Sequence, residues 1–119
     1  MTPTTLEPDH VVYLLERDVS HTLGDGFHED VLSIAENTRS IALSDEAVEA
    51  DGLEKAQRYF GQMVVDDFQQ YVQDTFVDTT WPACPRHPNH PLDYDHETGA
   101  WCCPRDGAAI FPLGELRRS

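Results

Sequence analysis

The chain has 119 residues, room for one modest domain or for a small helical core with an appended mini-module. With 39% hydrophobic and 25% charged residues, it has the composition of a folded, soluble protein rather than a disordered one. Residues 1–79 hold seventeen Asp and Glu against four Lys and Arg, and residues 80–119 hold five against four, so the net charge of −14 sits almost wholly on an N-terminal part that would repel DNA or RNA.

Residues 1–9, with Pro3 and Pro8, read as a flexible arm. From His10 the apolar positions Val12, Leu15, Val19 and Leu23 recur at helical spacing, with Glu16, Arg17 and Asp18 expected on the outer face. Gly24-Asp25-Gly26 breaks the pattern. A second periodic run follows through Phe27, Val31, Ile34 and Ala35, and Ile41 and Ala42 continue its phase, although Arg39–Leu43 suits a short strand as well. Ser44, followed by Asp45 and Glu46, marks an N-cap where a helix starts or restarts.

Asp51-Gly52 precedes the strongest helical pattern, with Leu53, Ala56, Phe60, Met63, Val64, Phe68, Tyr71, Val72 and Phe76 on one broad arc. Val65 widens that arc, which suits packing on two neighbours or a homodimer through the 53–76 helix. This helix should end near Asp78-Thr79-Thr80. Six of the eight prolines then fall after Trp81, excluding any long helix there. Leu92–Tyr94 and Ala100–Cys103 read as a β-hairpin around a turn at Asp95–Gly99, and Ala108–Leu113 could add a third strand. The expected fold class is α+β: an acidic bundle of about three helices over residues 10–79, then a hairpin module over 80–119.

Three cysteines are too few for a disulfide scaffold, and in a reducing compartment clustered Cys and His point to metal first. Cys84 to His87 is C-x2-H and Cys103 to Asp106 is C-x2-D, each following a Cys-Pro turn. Zinc takes four N or S ligands in a tetrahedron, usually as pairs from two tight turns. The fourth ligand is His90, giving a Cys2His2 set of Cys84, His87, His90 and Cys103, or alternatively Asp106. Adjacent residues on a strand point to opposite faces, so Cys103 is expected to ligate and Cys102 to pack or stay free.

Cys84-Pro85, Cys103-Pro104 and Asp106-Gly107 resemble the knuckles of a zinc ribbon over roughly residues 81–113. In that family each knuckle is C-P-x-C-G, so the second ligands fall on His87 and on Asp106, the latter being the departure from the pattern. Trp81-Pro82, Cys84-Pro85, His87, His90-Pro-Leu92, Trp101, Cys103-Pro104 and Gly107 are also similar to the tails of short actinobacterial proteins of unknown role. The resemblance implies one zinc per chain and adds no activity. A degenerate, metal-free ribbon held by Trp81, Trp101, Tyr94 and Phe111 is the plainer alternative, and a catalytic zinc with an open position is a third.

Elsewhere, Glu7–His10, Asp18–His21 and Asp25–His28 share the acid-x-x-His spacing of di-iron bundles, but Pro8 and Gly26 interrupt two of them. Nucleotide-binding and hydrolase motifs are absent. The longest apolar run, Val11–Leu15, is far short of the roughly 20 residues of a membrane span, and no signal peptide is visible, which suits a cytoplasmic protein. Arg supplies seven of the eight basic residues, the habit of a GC-rich bacterial genome. The functional expectation is a non-enzymatic, zinc-binding adaptor that contacts a protein partner, with Trp81 and Trp101 as packing supports. The rival is an acidic inhibitor or nucleic-acid mimic of the antitoxin, immunity or anti-defence kind, attracting a basic partner.

Overall fold

The computed structural model describes residues 8–75, 80–86 and 90–116. Four helices precede a three-stranded antiparallel sheet: α1 (Pro8–Thr22), α2 (His28–Ala42), α3 (Asp45–Asp51), α4 (Leu53–Thr75), then β1 (Asp93–Asp95), β2 (Ala100–Cys102) and β3 (Ala109–Pro112), in the spatial order β1-β2-β3. The α+β class is as expected, with one helix more than the bundle of about three. The addition is the seven-residue α3, where Ser44 caps the N-terminus by accepting from the Ala47 N–H at 3.2 Å.

Chain punctuation follows local chemistry. Pro8 occupies the first turn of α1, where its missing N–H is no loss, so the arm drawn through residue 9 yields Pro8 and Asp9 to the helix. The α1 end is closed by the Leu23 and Gly24 N–H groups, both donating to the Val19 carbonyl, and a short 3-10 turn over Asp25–Phe27 leads into α2. Arg39–Ala42 belongs to α2 rather than to a strand. Gly52, at φ +85°, ends α3 through its N–H to Val48, while its carbonyl accepts from Ala56 at the start of α4. The expected end of α4 near residue 78 lies outside the described residues.

The helical part and the sheet share one core. Val11, Leu15 and Val19 of α1, Val31 and Ala35 of α2, and Phe60, Val64, Val65, Phe68 and Val72 of α4 pack with Trp81, Leu92, Tyr94, Trp101, Leu113 and Leu116. A chain of edge-on aromatic contacts crosses the junction: Phe68 to Trp81 (5.5 Å between ring centres), Trp81 to Trp101 (5.6 Å) and Trp101 to Tyr94 (6.0 Å). Such pairs add about 0.5–1.5 kcal/mol each beyond the area they bury. Among the described residues no helix is long and apolar enough to cross a membrane.

Candidate metal centre and the latches beneath it

Two turns at the end of the sheet present the cysteines. In the first, the Cys84 N–H donates to the His90 carbonyl (3.1 Å) and the Leu92 N–H to that of Pro82 (2.7 Å), closing the segment around a bridge between Ala83 and Pro91. In the second, the Cys103 N–H donates to Ala108 and the Gly107 N–H to Cys103, both at 2.8 Å. Gly107 stands at φ +75°, a conformation that side chains disfavour, which accounts for glycine after Asp106. The Asp106 Oδ1 accepts from the Ala108 N–H at 2.9 Å, and its Oδ2 pairs with Arg86 of the first turn. That ion pair spans the two Cys-Pro turns.

Asp106 is therefore an anchored anion. The Ala108 N–H, above all, holds its carboxyl below the usual carboxylate range, with Arg86 and the Cys103 thiol adding to the effect. Acid that protonates it removes this favourable contribution as pH falls below the ordinary carboxylate value.

Cys84 and Cys103 are 0% and 1% exposed and belong to the shared core. Trp101 and Cys103, two residues apart, both join that core. Cys102 lies between them, just past a register irregularity, and does not. Its sulfur lies 3.6 Å from the Ala100 carbonyl instead. All three thiols are free. His90 is exposed, with its carbonyl tied to Cys84, and His87 lies outside the described residues. Among the described residues no three His, Cys, Asp or Glu side chains converge as a metal group.

Beneath the turns lies a constellation that sequence reasoning missed. Asp18 was expected on the outer face of α1, yet it is 0% exposed. Its Oδ2 accepts from Trp101 Nε1 and the Gly114 N–H, both at 2.8 Å, and its Oδ1 accepts from the Leu116 N–H at 2.9 Å. Burial lifts its pKa above the ordinary value; the Trp101, Gly114 and Leu116 donors oppose this and are outweighed. One turn on, Thr22 Oγ1 accepts from Trp81 Nε1 at 2.9 Å, so both buried indoles are tied to α1. On α4, Gln69 Nε2 donates to the Leu92 carbonyl at 2.7 Å and Gln62 Nε2 to that of Tyr94 at 2.6 Å. Gln62 Oε1 in turn accepts from the His96 N–H at 3.0 Å.

The signal for Asp18 was present. Val11, Leu15, Asp18 and Thr22 follow the i, i+4, i+7, i+11 spacing of a single helix face, so the carboxylate had to face inward with them. His21, three residues on, is exposed and still acts electrostatically on Asp18. Near it, a cleft of about 430 Å3 is lined by Tyr13, Glu16, Ser20, His21, Asp25 and His28, with His28 Nδ1 2.5 Å from Glu16 Oε1. Comparison with protein-family models, curated proteins and solved structures returns no match to this chain.

Proposed function

We propose that the chain is a small zinc-binding protein that works by contact with another protein and has no catalytic activity of its own. The observation carrying this is the pair of Cys-Pro turns, each burying its cysteine in a common core and joined by the Arg86–Asp106 ion pair. The donor chemistry suits zinc. Cys84 and Cys103 supply sulfur at the buried end, while His87 and His90 lie on the segment running between Cys84 and the bridge at Pro91. The Asp106 oxygens already serve Ala108 and Arg86, which favours the imidazoles as the remaining donors. When bound, zinc would neutralise two thiolates that are costly to bury alone.

Zinc content tests this. About one ion per chain is expected after purification without chelator. Cys103→Ala should lose it and Cys102→Ala should keep it. The reverse order of loss would refute the proposed ligand set.

The α4 arc expected to face a second copy is largely used within the chain, where Phe60, Val64, Val65, Phe68 and Val72 are buried. Among the described residues the exposed large apolar side chains are Tyr13, Leu32, Ile41, Leu53 and Tyr59, spread over α1, α2 and α4. The acidic-inhibitor alternative is favoured by one observation. Asp45, Glu46, Glu49, Asp51 and Glu54 are all exposed along α3 and the first turn of α4. A basic partner held there should dissociate as salt is raised from low to physiological strength, whereas apolar docking should change little.

A further inference from the structure

Where α3 meets α4 the acids outnumber the bases, and Lys55 and Tyr59 stand four positions apart. On a helix that spacing makes two side chains neighbours. The Lys55 Nζ accordingly lies over the Tyr59 ring, 5.7 Å from its centre, and 4.0 Å from Asp51 Oδ1. The turn between β1 and β2 comes up against them. Its His96 ring meets that of Tyr59 at 6.3 Å and is held by Gln62, whose Oε1 accepts from the His96 N–H and lies 3.0 Å from Nδ1. These groups border a groove of about 540 Å3, with Glu54 and Arg58 paired on the α4 side and Glu97 on the turn.

The groove is already fitted to a cation. An aromatic face attracts an ammonium or guanidinium group through its quadrupole. Lys55 fills that role from within the chain, but loosely: its side chain is 56% exposed, and an exposed pair as long as that with Asp51 contributes little. Tyr59 itself stays 44% exposed. Asp51, Glu54 and Glu97 outnumber Lys55 and Arg58, and the exposed Asp45, Glu46 and Glu49 of α3 extend the negative surface. Charge complementarity therefore sets the kind of occupant. Resting on the protein-contact reading above, and independently of zinc, we propose that this groove seats a basic segment of a partner protein. One arginine or lysine side chain of that segment lies over Tyr59 in place of Lys55. Lys55 is then an internal competitor that the partner's cation displaces.

The experiment titrates a hexa-arginine peptide into the whole chain at low salt and follows the backbone amide resonances. Any cation gathers near so acidic a chain, so variants decide the outcome. Tyr59→Ala should weaken binding about two- to fivefold, the size of an exposed cation–ring contact, whereas Tyr59→Phe keeps the ring face and should bind as the native chain does. Lys55→Gln and Arg17→Gln change the net charge equally. Lys55→Gln should tighten binding more, because Arg17 borders the separate cleft on α1. All three side chains are exposed, so each variant should keep the native melting midpoint. Amide shifts should centre on Gly52, Tyr59 and Glu97. Shifts spread over the acidic surface, with Tyr59→Ala unchanged and the two charge variants equal, would overturn the groove and leave the protein-contact reading standing. The same amides shifting as the free chain is concentrated would put a second copy in the groove and overturn the basic segment. No shift at low salt would overturn both the groove and a basic partner.

Discussion

Asp18 shows how one residue can join two halves of a chain. Its carboxylate collects three N–H donors from positions 83 to 98 residues away, so helix α1, strand β2 and the turn after β3 meet at one side chain. Replacing it with alanine would leave three buried donors without an acceptor, at about 3–5 kcal/mol in all. Asp18→Asn keeps one oxygen but sets an amide donor against another donor, so a loss of about 2 kcal/mol is expected in urea unfolding. The pH dependence has a definite sign. Because burial raises the folded pKa above 3.8, the unfolded chain ionises first, and the folded chain holds more protons in between. Stability from this group therefore falls as pH rises from the ordinary value through the raised one and is level above it. Asp18→Asn should remove that slope; an unchanged acid-limb profile would show that Asp18 does not titrate with folding.

At the scale of elements, α1 and α4 were legible from the sequence because apolar periodicity is a local signal. The α4 arc from Ala56 to Val72 packs inward as its spacing required. Its polar members were harder to see. Gln62 and Gln69 sit seven residues apart and grip the Tyr94 and Leu92 carbonyls, partners 32 and 23 positions away that no window along α4 contains. The three strands were visible through turn residues and alternation, whereas their docking onto the helices was not. That docking can be tested at Gly114, where an added Cβ would lie 2.5 Å from Leu14 Cδ2 and 3.3 Å from Leu14 Cβ, at φ +94°. Gly52, at φ +85°, has open space around the same position. Gly52→Ala should thus cost only the backbone strain of φ +85° and ψ 155°, about 1–3 kcal/mol, and Gly114→Ala about 1–2 kcal/mol more for the clash with Leu14. Equal losses in thermal unfolding would contradict close packing of the C-terminal turn on α1.

For the whole molecule, division into an acidic helical part and a proline-rich tail describes the sequence better than the packing. Composition changes abruptly near residue 80, yet the core runs without a break from Val11 to Leu116. A module of some forty residues is too small to bury a core alone; packing with α1 and α4 residues supplies one. The two turns were readable from Cys-Pro spacing. The salt link across them was not, because Arg86 and Asp106 are joined only by the folding of the hairpin. The most direct measurement is elemental analysis of three proteins purified without chelator: the native chain, His90→Ala and Asp106→Asn. About one zinc per chain is expected in the native protein and in Asp106→Asn, and loss in His90→Ala. Zinc absent from the native protein, or lost with Asp106→Asn and retained with His90→Ala, would contradict the Cys2His2 centre.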